Sequence, residues 1–275
     1  MNILEQIISF KKKQVQKEEH DIPAIQWEKQ PAFERTCFSL FDSLNQKKGN
    51  GIIAEFKRRS PSKGIINDKV SVTEVTSAYT NNSAAGLSVL TDEQFFGGSI
   101  EDLMEARDNK IPILRKDFII SEYQVVQSKA IGADVILLIA AVLTAKEVRH
   151  LTHFATELGL EVLLEVHNEE ETAHICEGIT MVGVNNRDLK SFSVDVKRSL
   201  DLAPFITEKI EKESGRKGIL ISESGISNAK TVNMLKNAGF RGFLMGEHFM
   251  KQSDPGKAFY EFVQELKMID QQPIR

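Results

Sequence analysis

Eight short apolar runs, separated by longer amphipathic segments, limit what this chain can become. The runs are Ile52–Glu55, Leu87–Leu90, Ile111–Leu114, Val135–Ile139, Val162–Val166, Met181–Val184, Ile219–Ile221 and Gly242–Met245. Runs this brief suit strands covered on both faces. Between them lie Val72–Asn81, Ser99–Asp108, Glu122–Ala130, Thr144–Leu158, Glu169–Cys176, Val194–Leu202 and Asn228–Asn237, with Ala258–Lys267 after the last; all are helix-like in spacing. Eight such pairs with right-handed crossovers predict the α/β class and a parallel (β/α)8 TIM barrel. The 275 residues then form a single barrel domain, 1–275.

Residues 1–50 read as an N-terminal helical extension that caps the barrel, with no linker to set it apart. Ile3, Leu4, Ile7, Ile8, Phe10 and Val15 recur at helical spacing up to about Glu19, and a second helical candidate lies near Phe38–Gln46 beyond Pro23 and Pro31. Gly86, Gly132, Gly159 and Gly239 each follow a helical pattern and precede a strand, as helix-ending left-handed glycines do. Phe205–Lys217 is charged and longer than the other joins, and reads as a solvated helical insertion. The chain ends soon after the eighth helix, so no fused second catalytic domain is expected.

Composition excludes several classes. Hydrophobic residues at 41% and charged residues at 27% argue against disorder, and a net charge of −4 argues against general nucleic-acid or membrane-surface binding. The N-terminus lacks the apolar block of a signal peptide, and no run nears about 18 apolar residues, so a cytoplasmic protein is expected. Cys37 and Cys176 have no C-x-x-C partner and read as buried or idle thiols. His150 and His153 lie three apart without a third ligand and read as surface histidines, as do His167 and His174; no metal site is expected.

In such a barrel, chemistry belongs at the C-terminal strand ends. Those ends carry Glu55 and Lys57, Lys116, Glu165, Asn185 and Glu223, so three carboxylates, two ammonium groups and an amide converge on one mouth. Ammonium groups can donate protons and carboxylates accept them, and opposite charges hold each other in place. Nothing resembles a nucleophilic triad. Ser60 and Lys57 after the first strand, together with Gly225 and Gly246 in the glycine turns after the last two strands, fit a phosphate held by a hydroxyl, an ammonium and backbone N–H groups. Neither a Rossmann nor a Walker glycine pattern is present. Phe95, Phe96 and Phe118 are either core or an apolar wall for an aromatic substrate.

Six ordered motifs make a more specific statement. They are Ile53-Ala54-Glu55-Phe56-Lys57-Arg58-Arg59-Ser60-Pro61-Ser62; Leu90-Thr91-Asp92 with Phe95-Phe96-Gly97-Gly98-Ser99; Pro112-Ile113-Leu114-Arg115-Lys116-Asp117-Phe118; Gly183-Val184-Asn185-Asn186-Arg187-Asp188-Leu189; Ser222-Glu223-Ser224-Gly225-Ile226; and Leu244-Met245-Gly246-Glu247. Through them the sequence resembles the indole-3-glycerol phosphate synthase family over roughly residues 1–270. The resemblance implies ring closure of 1-(2-carboxyphenylamino)-1-deoxyribulose 5-phosphate, with loss of carbon dioxide and water and without cofactor. It implies Lys116 as catalytic acid and Glu165 as base. Lys57 binds the anthranilate carboxylate and is a second candidate acid, while Glu55, Asn185 and Glu223 hold these groups and the ribulose hydroxyls. Ser60, Ser224, Gly225, Gly246 and the backbone of Glu247 match the phosphate site, and Phe95, Phe96, Phe118, Arg187 and Leu244 the aromatic and ribulose pocket. Glu247 departs from relatives that carry a small hydroxyl residue there. The implied partner is a phosphorylated small molecule bound by a monomer or weak homo-oligomer. Rival readings are another phosphate-binding barrel enzyme, such as phosphoribosylanthranilate isomerase, whose cysteine acid no strand end here supplies, and a non-catalytic phosphate-ligand barrel.

Overall fold

The computed structural model describes residues 3–47, 49–189 and 191–271. Eight parallel strands close into a barrel: β1 (Ile52–Phe56), β4 (Gly86–Leu90), β5 (Ile113–Lys116), β6 (Val135–Ile139), β7 (Glu161–Val166), β8 (Met181–Asn185), β9 (Ile219–Glu223) and β10 (Phe240–Met245). They pair in chain order, and β10 returns to β1 with Ile53 opposite Leu244. A small antiparallel hairpin, β2 (Arg59–Ser60) and β3 (Gly64–Ile65), follows β1.

Strand alternation divides the core. Outward residues such as Ile52, Ala54, Phe56, Leu87 and Val182 pack beneath the surrounding helices, while Ile53, Leu114, Leu163, Met181, Ile219, Ile221 and Leu244 form a second cluster inside the barrel. The inward register continues two residues further into charge: Ile53 leads to Glu55, Leu114 to Lys116, Leu163 to Glu165 and Ile221 to Glu223. One side-chain column is thus apolar at the bottom and ionisable at the top.

The helices are α1 (Ile3–Asp21), α2 (Ala24–Trp27), α3 (Leu40–Leu44), α4 (Val72–Asn81), α5 (Glu93–Phe96), α6 (Ile100–Ala106), α7 (Glu122–Ala130), α8 (Ala145–Glu157), α9 (Lys197–Ser214), α10 (Ala229–Asn237), α11 (Glu247–Met250) and α12 (Pro255–Asp270). Many begin where a side chain accepts the third backbone N–H: Ser71, Asp92, Ser99, Ser121, Thr144, Asn228 and Asp254 all do so. Among these described residues no helix is long and apolar enough to cross a membrane.

Several expectations change. The charged stretch 205–217 is no insertion, because α9 runs through Pro204 to Ser214 and buries Ile206 and Ile210 on the core. The segment Glu169–Cys176 holds only a 3-10 turn, Glu170–His174. Gly132, Gly159 and Gly239 have positive φ, but Gly86 does not; Ser83 (φ 68°) makes that turn, and Gly86 opens β4 where a Cβ would lie 2.8 Å from Leu40 Cδ1. Cys176 is buried and Cys37 only half-buried, 3.2 Å from Lys129 Nζ.

The extension reaches both ends of the barrel. Ile3, Leu4 and Ile7 of α1 face the C-terminal mouth. Further along, Trp27 donates to Tyr123 of α7 at 2.9 Å, and Arg35 pairs with Asp134 at 2.7 Å. At the opposite mouth Glu161 accepts from Ser39 Oγ (2.6 Å) and from the Leu40 and Phe41 N–H groups (2.8 and 3.1 Å), which seats Leu40 and Leu44 in the inner cluster.

Candidate active site

The C-terminal strand ends enclose a cavity of about 190 Å³. At its floor Lys116, ending β5, donates to Glu165 Oε2 of β7 at 2.8 Å and to Glu223 Oε2 of β9 at 2.7 Å. Asn185 Nδ2 of β8 donates to Glu165 Oε1 at 3.1 Å, and the Asn185 oxygen is fixed by the Arg187 N–H at 3.0 Å. On the facing wall Lys57 donates to Glu55 Oε1 at 2.5 Å, while Ser88 donates to Glu55 Oε2 at 3.4 Å. All six predicted charged and amide residues therefore meet.

Their charges are unequal. Burial on its own would lower the Lys116 ammonium, but Glu165, Glu223 and Glu55 outweigh it and hold it above the ordinary value. Burial would raise Glu165, yet Lys116 and His167 outweigh that and keep it well below the usual carboxylate range. Glu223 goes the other way: burial pushes it up to about 7, Lys116 offsetting only part and Glu165 and Glu55 adding to the rise. Two buried carboxylates on one ammonium are not equally ionised. Glu223 Oε1, buried with no hydrogen-bond partner among the described residues, belongs to the group that carries the surplus. A Cβ at Gly183 would lie 2.2 Å from that oxygen, so this strand glycine clears the space for Glu223.

At the other end of the cavity lie Ser60, Ser62, Ser224, Gly225, Gly246 and Glu247. Ser224 (φ 65°) and Gly225 (φ 77°) are both left-handed, at a cost for serine on the order of 1 kcal/mol. Asn186 braces this turn from below, donating to Ser222 Oγ (2.9 Å) and the Ser224 carbonyl (3.1 Å) while Ser199 donates to its oxygen at 2.8 Å. At Gly246 a Cβ would lie 2.7 Å from Glu55 Oε1, so the two ends share a wall. The Glu247 carboxylate faces Arg187 Nη2 at 3.3 Å and Lys63 at 3.8 Å.

Apolar walls complete the site. Phe96 and Phe118, with ring centroids 6.1 Å apart, line the cavity with Leu244 and the α1 residues Ile3, Leu4 and Ile7. Phe95 is brought elsewhere: it packs edge-on against Phe10 of α1 at 5.8 Å and supports that helix. His150 and His153 are exposed, but His167 is not a surface residue; its side chain is only 9% exposed and lies between Glu165 and Glu171. His174 is half-buried, within 3.0 Å of the Leu143 carbonyl. Sequence reasoning missed Lys11, whose side chain is 1% exposed and pairs with Asp92 (2.8 Å) and Asp117 (2.9 Å), clamping α1 beside Lys116. Its spacing from Ile7 and Val15 on one helix face was the available signal.

The family profile of indole-3-glycerol phosphate synthase matches residues 4–262. The chain belongs to that family. Among relatives carrying the same family name, the protein of Bacteroides thetaiotaomicron is 48% identical over 79% of this chain and 81% of its own. That of Alkaliphilus metalliredigens is 40% identical over 94% and 97%, and that of Salinibacter ruber 39% over 98% of each. Among solved structures, a mutant tryptophan synthase alpha-subunit from the hyperthermophile Pyrococcus furiosus superposes with a TM-score of 0.57 at 14% identity. The superposition covers 80% of this chain and 99% of that one, a likeness of fold.

Proposed function

We propose that this pocket closes the indole ring of 1-(2-carboxyphenylamino)-1-deoxyribulose 5-phosphate to give indole-3-glycerol phosphate, carbon dioxide and water. The observation that carries the reading is Lys116 held between Glu165 and Glu223 on the floor of a cavity with an apolar wall. The substrate phosphate is assigned to Ser60, Ser224, Gly225, Gly246 and the Glu247 N–H, where the first N–H groups of α11 have no preceding turn to bond. Arg187 and Lys63, which neutralise the Glu247 carboxylate, supply positive charge at that rim. The aromatic ring is assigned to Phe96, Phe118 and Leu244, and its carboxylate to Lys57.

In this pose the ring carbon bearing the carboxylate attacks the ketone carbon, and Lys116 gives its proton to the ketone oxygen as the carbon–carbon bond forms. Carbon dioxide then leaves, its bonding pair returning to the ring system. Loss of the new hydroxyl as water needs a proton on that oxygen and removal of one from the ring system; Glu165, held as a carboxylate, is the base, and Lys57 a second acid. Glu55, Asn185 and Glu223 hold these groups and the ribulose hydroxyls. The protein acts on this small molecule as a cytoplasmic monomer or weak homo-oligomer without nucleic acid, in keeping with its net charge of −4. Purified protein should generate indole fluorescence from the carboxyphenylamino substrate. Tight binding with no product would instead favour a phosphate-binding barrel without catalysis.

A further inference from the structure

Behind Glu165, outside the cavity wall, lies an imidazole that this mechanism does not use. His167 follows Glu165 by two residues, just past the end of β7 (Glu161–Val166), and is not among the residues that line the cavity. Its Nε2 is 3.3 Å from Glu165 Oε1 and its Nδ1 is 3.2 Å from Glu171 Oε2. Glu171 is fixed in turn, accepting the His167 backbone N–H at 2.7 Å and the Asn168 amide at 2.9 Å, while its own N–H donates to Asn168 Oδ1 at 2.9 Å. The imidazole is hydrogen-bonded to Glu171, and its Nε2, which has no hydrogen-bond partner among the described residues, lies at ion-pair distance from the oxygen of Glu165 that Lys116 does not touch.

The imidazole answers a charge problem. Lys116 carries one positive charge, shared between Glu165 and Glu223, while Glu55 across the cavity has its own ammonium in Lys57. Once Lys116 has given its proton to substrate, that charge is gone from the carboxylate cluster, and the neutral Asn185 amide cannot replace it. A buried carboxylate then favours its protonated form, which is useless as a base.

We propose that His167 is a positioning residue for the reaction, held by Glu171 as the second cation that keeps Glu165 ionised after Lys116 has released its proton. No proton passes through the ring; it remains protonated at both nitrogens. Burial would lower its pKa, but the neighbouring Glu165 and Glu171 carboxylates outweigh that and raise it to about 9. The inference rests on the reading of Lys116 and Glu165 as acid and base.

The test is the pH profile of kcat at saturating substrate. His167→Gln should move the acid limb of kcat up by about one pH unit, so that kcat falls roughly ten-fold at pH values on that limb and little on the plateau above it, and should leave KM within about two-fold, because removing a cation raises its neighbour's pKa. Glu171→Gln should move the same limb in the same direction by less, and reads it even where His167→Gln fails to fold. His167→Lys, which restores a cation but not a ring, should return the limb toward its original position. An acid limb unmoved in both His167→Gln and Glu171→Gln overturns the inference, as does a shift that His167→Lys fails to reverse. Glu165→Gln separates the two readings. If it stays active, the base assignment falls and this inference with it; if it is inactive while the limb stays put, only the role of His167 falls.

Discussion

The two mouths of the barrel are built from the same strands in the same register, yet they handle polar groups in opposite ways. At the N-terminal mouth, Glu161 and Asp134 each meet donors from the extension: Glu161 accepts from Ser39, Leu40 and Phe41, and Asp134 accepts from the Phe38 N–H at 2.8 Å and pairs with Arg35. Leu40 and Leu44 then fill the opening. At the C-terminal mouth the charges meet chiefly one another around an open cavity, and one carboxyl is displaced to about 7. Fixed donors remove the conflict at one end; at the other it persists as poised proton donors and acceptors. On the proposed reading, the first mouth serves stability and the second chemistry.

Substitutions should separate these roles. The largest effect is expected from Lys116→Ala, which should lower kcat roughly 10³- to 10⁴-fold while the phosphorylated substrate still binds; wild-type-like turnover would sink the acid assignment. At the opposite mouth, Leu40→Ala should cost about 2–5 kcal/mol in denaturant unfolding, from lost burial and the cavity left behind, with kcat preserved in the folded protein. If Leu40→Ala lost turnover without losing stability, the contrast between the mouths would fail.

The barrel was legible because strand and helix periods differ and repeat eight times; the candidate acid, base and amide were legible because each polar residue ends an apolar run. Long-range partners were not. Lys11, Lys12 and Lys13 are adjacent, and only Lys11 is buried, because Asp92 and Asp117 from distant strand ends come to meet it. His167 stands among Asn168, Glu169, Glu170 and Glu171, a neighbourhood that reads as solvated, and it lies past the end of β7, where strand alternation no longer sets a side chain's direction. Phe95 and Phe96 are neighbours in sequence, but a short helix turns one toward α1 and the other into the cavity. Gly183 carries no signal in sequence, because what requires it is Glu223 on the neighbouring strand.

The displaced carboxyl makes the contrast measurable as a pH effect. Glu223 is raised from its ordinary 4.5 to about 7 in the folded protein, so the folded state binds its proton more tightly than the unfolded chain. Its contribution is fully present below about 4.5 and lost as pH rises through about 7. Across that window the unfolding free energy of wild type relative to Glu223→Gln should fall by up to about 3 kcal/mol. A pH-independent difference between the two proteins would show that Glu223 carries no surplus charge.

The smallest of these effects belongs to Lys57, whose side chain is 18% exposed and already held by Glu55 at 2.5 Å. A substrate carboxylate there must share the ammonium with Glu55, and partial exposure weakens the attraction further. The contact exists in both the bound ground state and the transition state, so Lys57→Ala should raise KM about ten-fold, near 1.4 kcal/mol. The same variant should lower kcat as well if Lys57 also acts as an acid. An unchanged KM would remove the carboxylate from Lys57. A raised KM with an unchanged kcat would leave Lys57 as a binding group only, with Lys116 then the sole proton donor among the two lysines.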